Sequence, residues 1–209
     1  NWFAEESAAG RIRVVDGGEE FNWSRLCNLG AAAATGEVLA FVNNDVDRPS
    51  NRWLEHLGAR AVDPAVGVVG PMLLYPDGTL QHAGIVLDYE GGPAHCYLGL
   101  DPFGTQWMTT HPCFARDVSA VTGACQVVAS ETFARLGGFD EDYRITGSDV
   151  ALCLRATELG LRIVYEPDAR LTHHESKSRG SGNLSEDDER LARAVEPFLP
   201  DPCFSPHVD

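Results

Sequence analysis

The sequence predicts an α/β domain, and three observations predict it. Val38–Val42 is a run of apolar, β-prone residues that gives way at once to Asn43-Asn44-Asp45-Val46-Asp47. Such a run reads as a strand buried on both faces, and polar oxygens at the carboxyl end of a strand stand where open α/β sheets bind ligands. Ser148-Asp149 opens a helical pattern carrying Leu152, Leu154 and Leu159, and strand-like Ala169–Thr172 runs directly into His173-His174.

The other elements follow in chain order. Residues 2–9 read as a helix ended by Gly10, and Arg11–Val15 as a strand before the turn Asp16-Gly17-Gly18. Trp23, Leu26, Leu29 and Ala33 return to helical spacing, with Asn22 or Ser24 as the N-cap and Gly36 just past the end. After the strand Val38–Val42, Leu54, Leu57 and Ala61 predict a helix and Val66–Val69 a short strand. Met72–Tyr75 and Gly84–Leu87 flank Pro76-Asp77-Gly78, whose chemistry is that of a tight turn, so an antiparallel hairpin is expected. Residues 89–117 hold Gly, Pro, His and aromatics without periodicity, a length that predicts a functional or mobile loop. Cys125–Ala129 reads as a strand, and Glu131–Leu136 as a short helix capped by Ser130. Asp149–Leu159 is a helix closed by Gly160, and Pro167 splits the strand-like Arg162–Tyr165 from Ala169–Thr172. Ser185-Glu186-Asp187-Asp188 has the form of a capping box opening a last helix to about Val195, before a proline-rich tail over the surface.

Composition narrows the function classes. The 209 residues fit one domain with a real core, and 44% apolar with 22% charged residues is globular composition. Sixteen basic against 31 acidic side chains leave a formal charge of −15, a field that repels nucleic acid. A diphosphate ligand would be repelled too, unless a cation stood between it and the carboxylates. The six cysteines (Cys27, Cys96, Cys113, Cys125, Cys153, Cys203) form no C-x-x-C pair and read as reduced thiols of a cytosolic protein. No apolar run approaches the ~20 residues of a membrane span, and no secretory leader is visible. Asn1-Trp2-Phe3-Ala4 reads as mid-helix without an initiator Met, so the chain is expected to begin inside a longer protein.

Chemistry-bearing residues fall in three places. In Asn43–Asp47, Asp45 is the expected metal ligand, with Asp47 and Asn43 on its side if the chain stays extended. Carboxylate and amide oxygens there suit a hard divalent cation that keeps positions open for phosphate oxygens. The same residues also suit a plain polar turn. Asp149, at a helix start whose dipole and N–H groups favour a carboxylate, reads either as a cap, a role Ser148 shares, or as a general base. His173 and His174 point apart, so one of them faces a given ion; each equally reads as an ordinary core or surface histidine. Zinc hydrolysis is disfavoured, because H-x-x-x-H and clustered cysteines are absent.

Several segments together resemble family 2 of the glycosyltransferases. They are Phe21-Asn22-Trp23-Ser24 with Asn28-Leu29-Gly30, Leu39 to Asp45, Tyr75-Pro76-Asp77-Gly78-Thr79-Leu80-Gln81-His82-Ala83-Gly84, Val118 to Cys125, Gly137-Gly138-Phe139-Asp140-Glu141, Asp149 to Arg155, and His173 to Gly180. The likeness covers residues 10–205, and its flavour is the rhamnosyltransferase-like, polysaccharide-building branch. It implies a GT-A fold, a Rossmann-like mixed sheet flanked by helices, here lacking N-terminal strands of the nucleotide half. One domain is expected over 1–209: the remainder of the nucleotide-binding half in 1–47, an acceptor and catalytic half in 48–183, and a C-terminal helix and tail in 184–209.

The resemblance also implies an inverting hexosyltransferase that uses a divalent cation, Mn2+ or Mg2+, and a nucleotide-diphosphate sugar. Its acceptor would be a glycan or lipid-linked glycan, in the cytoplasm or at the inner face of the membrane with peripheral association. Metal would sit on Asp45, Asp47 and His173 or His174, and the base would be Asp149. Substrate would touch Asn28, Asn43, Asn44, Thr122, Gly123, Ala124, Ser148 and Arg179. The family's Asp-x-Asp maps to Asn43-Asn44-Asp45, so its first acid is an amide; Ser148 replaces a Glu, and Ala151 a common Asp. Those departures motivate a rival, a sugar-nucleotide or glycan-binding module whose catalysis has lapsed. A phosphodiester hydrolase carries least weight, with one clear carboxylate ligand against the several of a two-metal site.

Overall fold

The computed structural model describes residues 2–89, 91–104, 112–174 and 184–203. In chain order the elements begin with α1 (Trp2–Ala8), α2 (Trp23–Ala33), β1 (Val38–Val42), β2 (Val46–Asp47), α3 (Trp53–Ala61) and β3 (Val66–Leu74). Then come β4 (Leu80–His82), β5 (Ile85–Tyr89), β6 (Gly92–His95), β7 (Arg116–Asp117), β8 (Cys125–Ala129) and α4 (Ser130–Arg135). The chain closes with α5 (Ser148–Glu158), β9 (Arg162–His173) and α6 (Leu184–Val195).

The main sheet runs β1-β8-β3-β9-β2, with β4 added to β3 and β7 to β9. β3 and β9 are parallel at its centre, and the other pairings are antiparallel, so the sheet is mixed. β5 and β6 form a separate ribbon. One face packs Leu39, Phe41, Val68, Met72, Val128, Ile163 and Tyr165 against apolar residues of α4 and α5. The other packs Val66, Val69, Leu73, Val127, Val164 and Leu171 against Leu57 and Ala61 of α3. The result is a sheet between two helical layers, an α/β sandwich. α5 lies flush on β3 because Gly67 has no side chain: a Cβ there would fall 2.7 Å from the Ala156 Cβ.

Local signals hold where capping and periodicity decide. Asn22 is the N-cap of α2 and its side chain accepts from the Arg25 amide. Gly10 and Gly160 end α1 and α5 in left-handed conformation, as glycine allows.

Elsewhere the structure corrects the reading. Arg11–Val15 is not a strand: among the described residues it pairs with no strand of the sheet, and Val14 and Val15 are exposed. β1 is buried on one face only, through Leu39 and Phe41, while Ala40 and Val42 face outward. Val66–Val69 and Met72–Leu74 are one strand through Gly70-Pro71, and β9 runs through Pro167. Register shifts at Pro71/Met72 let both prolines sit where the ladder is interrupted. The turn after β3 leads into Leu80–His82 rather than Gly84–Leu87, which pairs with β6 instead. Ser130 is the first residue of α4 and donates to the Gly36 carbonyl rather than capping. α6 begins at Leu184, before the expected cap Ser185. The tail is anchored, not merely laid over the surface: buried Asp201 accepts from the Leu87 and Cys203 amides and from the Ser119 hydroxyl.

Candidate active site

Two clusters of side chains stand at the carboxyl end of β1. At the first, the chain leaves β1 through a turn in which the Val46 amide donates to the Asn43 carbonyl. β2 then pairs antiparallel with the end of β9, Val46 opposite His173, and the His174 amide donates to the Asp45 carbonyl. This pairing brings His173 Nε2 to 3.2 Å from Asp45 Oδ1, both side chains largely covered. His174 Nε2 stands 3.1 Å from Asp47 Oδ2, both half-exposed. The turn breaks the extended path, so Asp45 and Asp47 serve two separate Asp–His pairs rather than one ligand set. Among the described residues no three His, Cys, Asp or Glu side chains converge as a closed metal cage.

The second cluster surrounds Asp149 at the start of α5. Its Oδ2 accepts from the Gly123 amide at 2.7 Å and its Oδ1 from the Val150 amide at 2.9 Å. Gly147, in left-handed conformation, is the N-cap, and Ser148 is buried without a capping bond. Gly123 is pressed between two side chains: a Cβ would lie 3.0 Å from Trp23 Cη2 and 3.2 Å from Asp149 Cβ. One residue on, the Ala124 carbonyl accepts from the Asn43 amide, and Trp23 Nε1 donates to Asn43 Oδ1 at 3.3 Å. Asp149, Gly123, Ala124, Asn43, Asp45 and His173 therefore form one continuous wall. β1 and β8 run antiparallel with Val42 opposite Cys125, and that register joins the two clusters.

The remaining candidates divide. Asn43 belongs to the wall, though its side-chain oxygen faces Trp23. Asn44 is exposed beside it, and Thr122 is half-buried next to Gly123. Gly123 and Ala124 are covered, and the close approach that Gly123 permits is to Trp23 and Asp149 rather than to open space. Asn28 has a structural task. Its carboxamide donates to the Phe139 carbonyl and to Glu141 Oε1 and accepts from the Phe139 amide, clamping the Gly137–Glu141 loop to α2. Arg179 lies outside the described residues, as do parts of the 89–117 stretch. Of that stretch, residues 96–100 fold back on β4 through bonds of Cys96 to Gly84, Gly99 to Leu80 and Leu80 to Leu100.

Sequence reasoning missed three residues of the site. Trp23 stands in the helical pattern and in the resembling segment Phe21-Asn22-Trp23-Ser24, but neither gives it a role in the site. Gln81, buried on β4, meets His173 Nδ1 with its side-chain oxygen at 2.6 Å. Asp187 on α6 is buried and accepts from the amides of Arg144, Ile145 and Thr146, holding the loop that delivers Ser148 and Asp149. Its own spacing suggested only a capping box.

The donors at Asp45 and His173 fit a divalent cation. An oxygen and an imidazole nitrogen 3.2 Å apart match the roughly 3 Å between neighbouring ligands of an octahedral ion with bonds of about 2.1 Å. The carboxylate suits Mn2+ or Mg2+, the imidazole suits the softer Mn2+ better than Mg2+, and two protein ligands leave positions for other oxygens. The six cysteines form no disulfide among the described residues, and burial pushes the thiols of Cys27, Cys125 and Cys153 up to about 12. Among the described residues no helix is long and apolar enough to cross a membrane.

Comparison with known proteins agrees with this architecture. Residues 3–99 match the family model for Glycosyl transferase family 2. The chain is 41% identical over 199 residues to the O-antigen biosynthesis protein RfbC of Myxococcus xanthus, covering 90% of this chain and 15% of that protein. It is 32% identical over 125 residues to the N-acetylglucosaminyl-diphospho-decaprenol L-rhamnosyltransferase of Mycobacterium tuberculosis, covering 56% of this chain and 40% of that one. The chain thus spans less than half the length of either relative. A crystal structure of GalNAc-T7 with UDP, GalNAc and Mn2+ superposes with a TM-score of 0.67 at 15% identity, over 93% of this chain and 39% of the other, a likeness of fold. With its mixed sheet of GT-A type, the match over residues 3–99 and these relatives, the chain is similar to glycosyltransferase family 2.

Proposed function

We propose that this chain carries the active site of an inverting glycosyltransferase, which moves a sugar from a nucleotide-diphosphate donor to a hydroxyl of a glycan or lipid-linked glycan. The observation that carries the reading is the continuous wall from Asp149 through Gly123 and Asn43 to the Asp45–His173 pair. It sets a carboxylate able to take a proton beside a donor pair suited to a cation. The relatives in O-antigen biosynthesis and rhamnosyl transfer favour cell-surface polysaccharide or glycoconjugate synthesis, and the proposed place of action is the cytoplasm or the inner face of the membrane.

Asp45 and His173 would hold Mn2+ or Mg2+, which when bound neutralises charge on the leaving diphosphate. Asp149 accepts the proton of the acceptor hydroxyl as that oxygen attacks the anomeric carbon from the face opposite the leaving group. The Gly123 and Val150 amides hold the carboxylate with one bond to each oxygen, which leaves each oxygen a further lone pair to accept a proton. Trp23 covers Gly123 and holds Asn43, keeping the two clusters in register. Arg179 and Asn44 are proposed donor contacts, and Thr122 a sugar contact.

A second reading, a binding module whose catalysis has lapsed, draws on Asn43: the position lacks an acid, and its amide oxygen is engaged by Trp23. One experiment separates the two. The natural full-length protein is titrated with Mn2+ and a panel of UDP-, GDP- and dTDP-sugars while nucleoside diphosphate release and the anomeric configuration of product are followed. Release with inverted product supports transfer; saturable binding without release supports the module; retained configuration overturns the base assignment.

A further inference from the structure

We infer that Gln81 is a positioning residue of this site: it fixes the His173 ring in the tautomer that turns the Nε2 lone pair toward the Asp45 carboxylate and a cation held with it. The inference rests on the metal reading above and adds a residue to it. The Gln81 side-chain oxygen lies 2.6 Å from His173 Nδ1, and both side chains are buried. A carboxamide oxygen only accepts, so the ring proton sits on Nδ1. The amide orientation follows from its other end, where Gln81 Nε2 donates to the His173 carbonyl at 3.5 Å. In a neutral ring Nε2 then carries a lone pair, and it faces Asp45 Oδ1 at 3.2 Å. That lone pair is the one a cation held with Asp45 would take. A ligating histidine whose other nitrogen donates to a fixed oxygen is the arrangement that sets ring orientation and raises ligand basicity.

The backbone is shaped for this contact. Leu73 pairs with His82 and Leu74 with Leu80, so Gln81 is the extra residue of a bulge on β4. A bulge re-aims a side chain that regular alternation would send elsewhere. The bulged residue reaches past the end of β3 to His173, one position beyond the Leu74–Thr172 pair. Gln81 sits within Leu80-Gln81-His82-Ala83-Gly84, a segment to which the proposed mechanism gives no other task.

The test uses the 209-residue chain, Mn2+ alone as probe, and the variants Gln81→Leu, which removes the acceptor, and Gln81→Glu, which keeps one. Long-range 15N NMR of metal-free protein reads the His173 tautomer. The expected result is a proton on Nδ1 in the wild type and in Gln81→Glu, and a shift toward the Nε2-protonated form in Gln81→Leu. Mn2+ affinity, from titration of paramagnetic relaxation, is expected to fall about 10- to 100-fold in Gln81→Leu and to recover in Gln81→Glu, with circular dichroism confirming that each variant folds. A wild-type proton on Nε2, or Gln81→Leu binding Mn2+ as the wild type does, overturns the inference. Failure of the metal reading looks different: the tautomer is as stated, but Mn2+ leaves the His173 signals of the wild type unchanged.

Discussion

The Gly123 amide donates to Asp149 Oδ2 at 2.7 Å, so the segment that opens β8 grips the carboxylate at the start of α5. The contact spans 26 residues of sequence and sets the first prediction. Asp149→Asn preserves shape and removes the proton acceptor. Turnover of the full-length protein should fall by at least ~100-fold, the lower end of what a general base contributes, while donor affinity stays close to wild type. Steady-state kinetics beside donor titration measures both, and normal turnover would remove Asp149 from the mechanism.

Gly123→Ala probes the packing under that contact. The added methyl would meet Trp23 at 3.0 Å and Asp149 at 3.2 Å, tighter than van der Waals contact. Both must move, at a cost of about 1–3 kcal/mol. The urea midpoint should drop accordingly, and turnover should fall more than donor affinity because Asp149 shifts. A variant as stable and active as wild type would show that Trp23 yields freely.

Asp187→Ala tests the support behind Asp149. The buried carboxylate accepts from the Arg144, Ile145 and Thr146 amides. Removing it strands those donors, with an expected loss of about 2–4 kcal/mol in urea unfolding. Asp187→Asn, which keeps one acceptor oxygen, should lose roughly half as much. Equal losses would mean that the charge, and not the bonds, holds the loop.

Acid should destabilise the fold through His82. Burial, with His95 and Arg116 close by, holds this imidazole well below its usual 6.5. Its Nδ1 lies 3.0 Å from His95 Nδ1, and its Nε2 accepts from the Gly84 amide. The folded state therefore refuses a proton that the unfolded chain accepts. Stability is full above about pH 6.5 and is lost as pH falls toward the depressed folded value. Thermal melts between about pH 7.5 and 5.5 should show Tm falling, and His82→Gln, less stable throughout, should lose less over the same interval. Parallel slopes would assign the acid sensitivity to other groups.

Local chemistry made much of this chain legible in its sequence. The cap at Asn22, the glycine stops after α1 and α5, the apolar run of β1 and the order of Asp45, Asp149 and His173 follow from patterns a few residues long, where periodicity and backbone valence decide. Tertiary structure alone decided the rest. Arg11–Val15 has strand propensity but no strand beside it, whereas β3 and β9 pass through Pro71 and Pro167 because each supplies the other's partner. Asn28 carries residue chemistry that suits substrate, yet loop carbonyl and amide groups 111 residues away take up its hydrogen bonds. Gln81 is one polar residue in a strand until a bulge turns it toward a histidine 92 positions later. A side chain's type is written locally, but its partner is chosen by register and packing between distant segments.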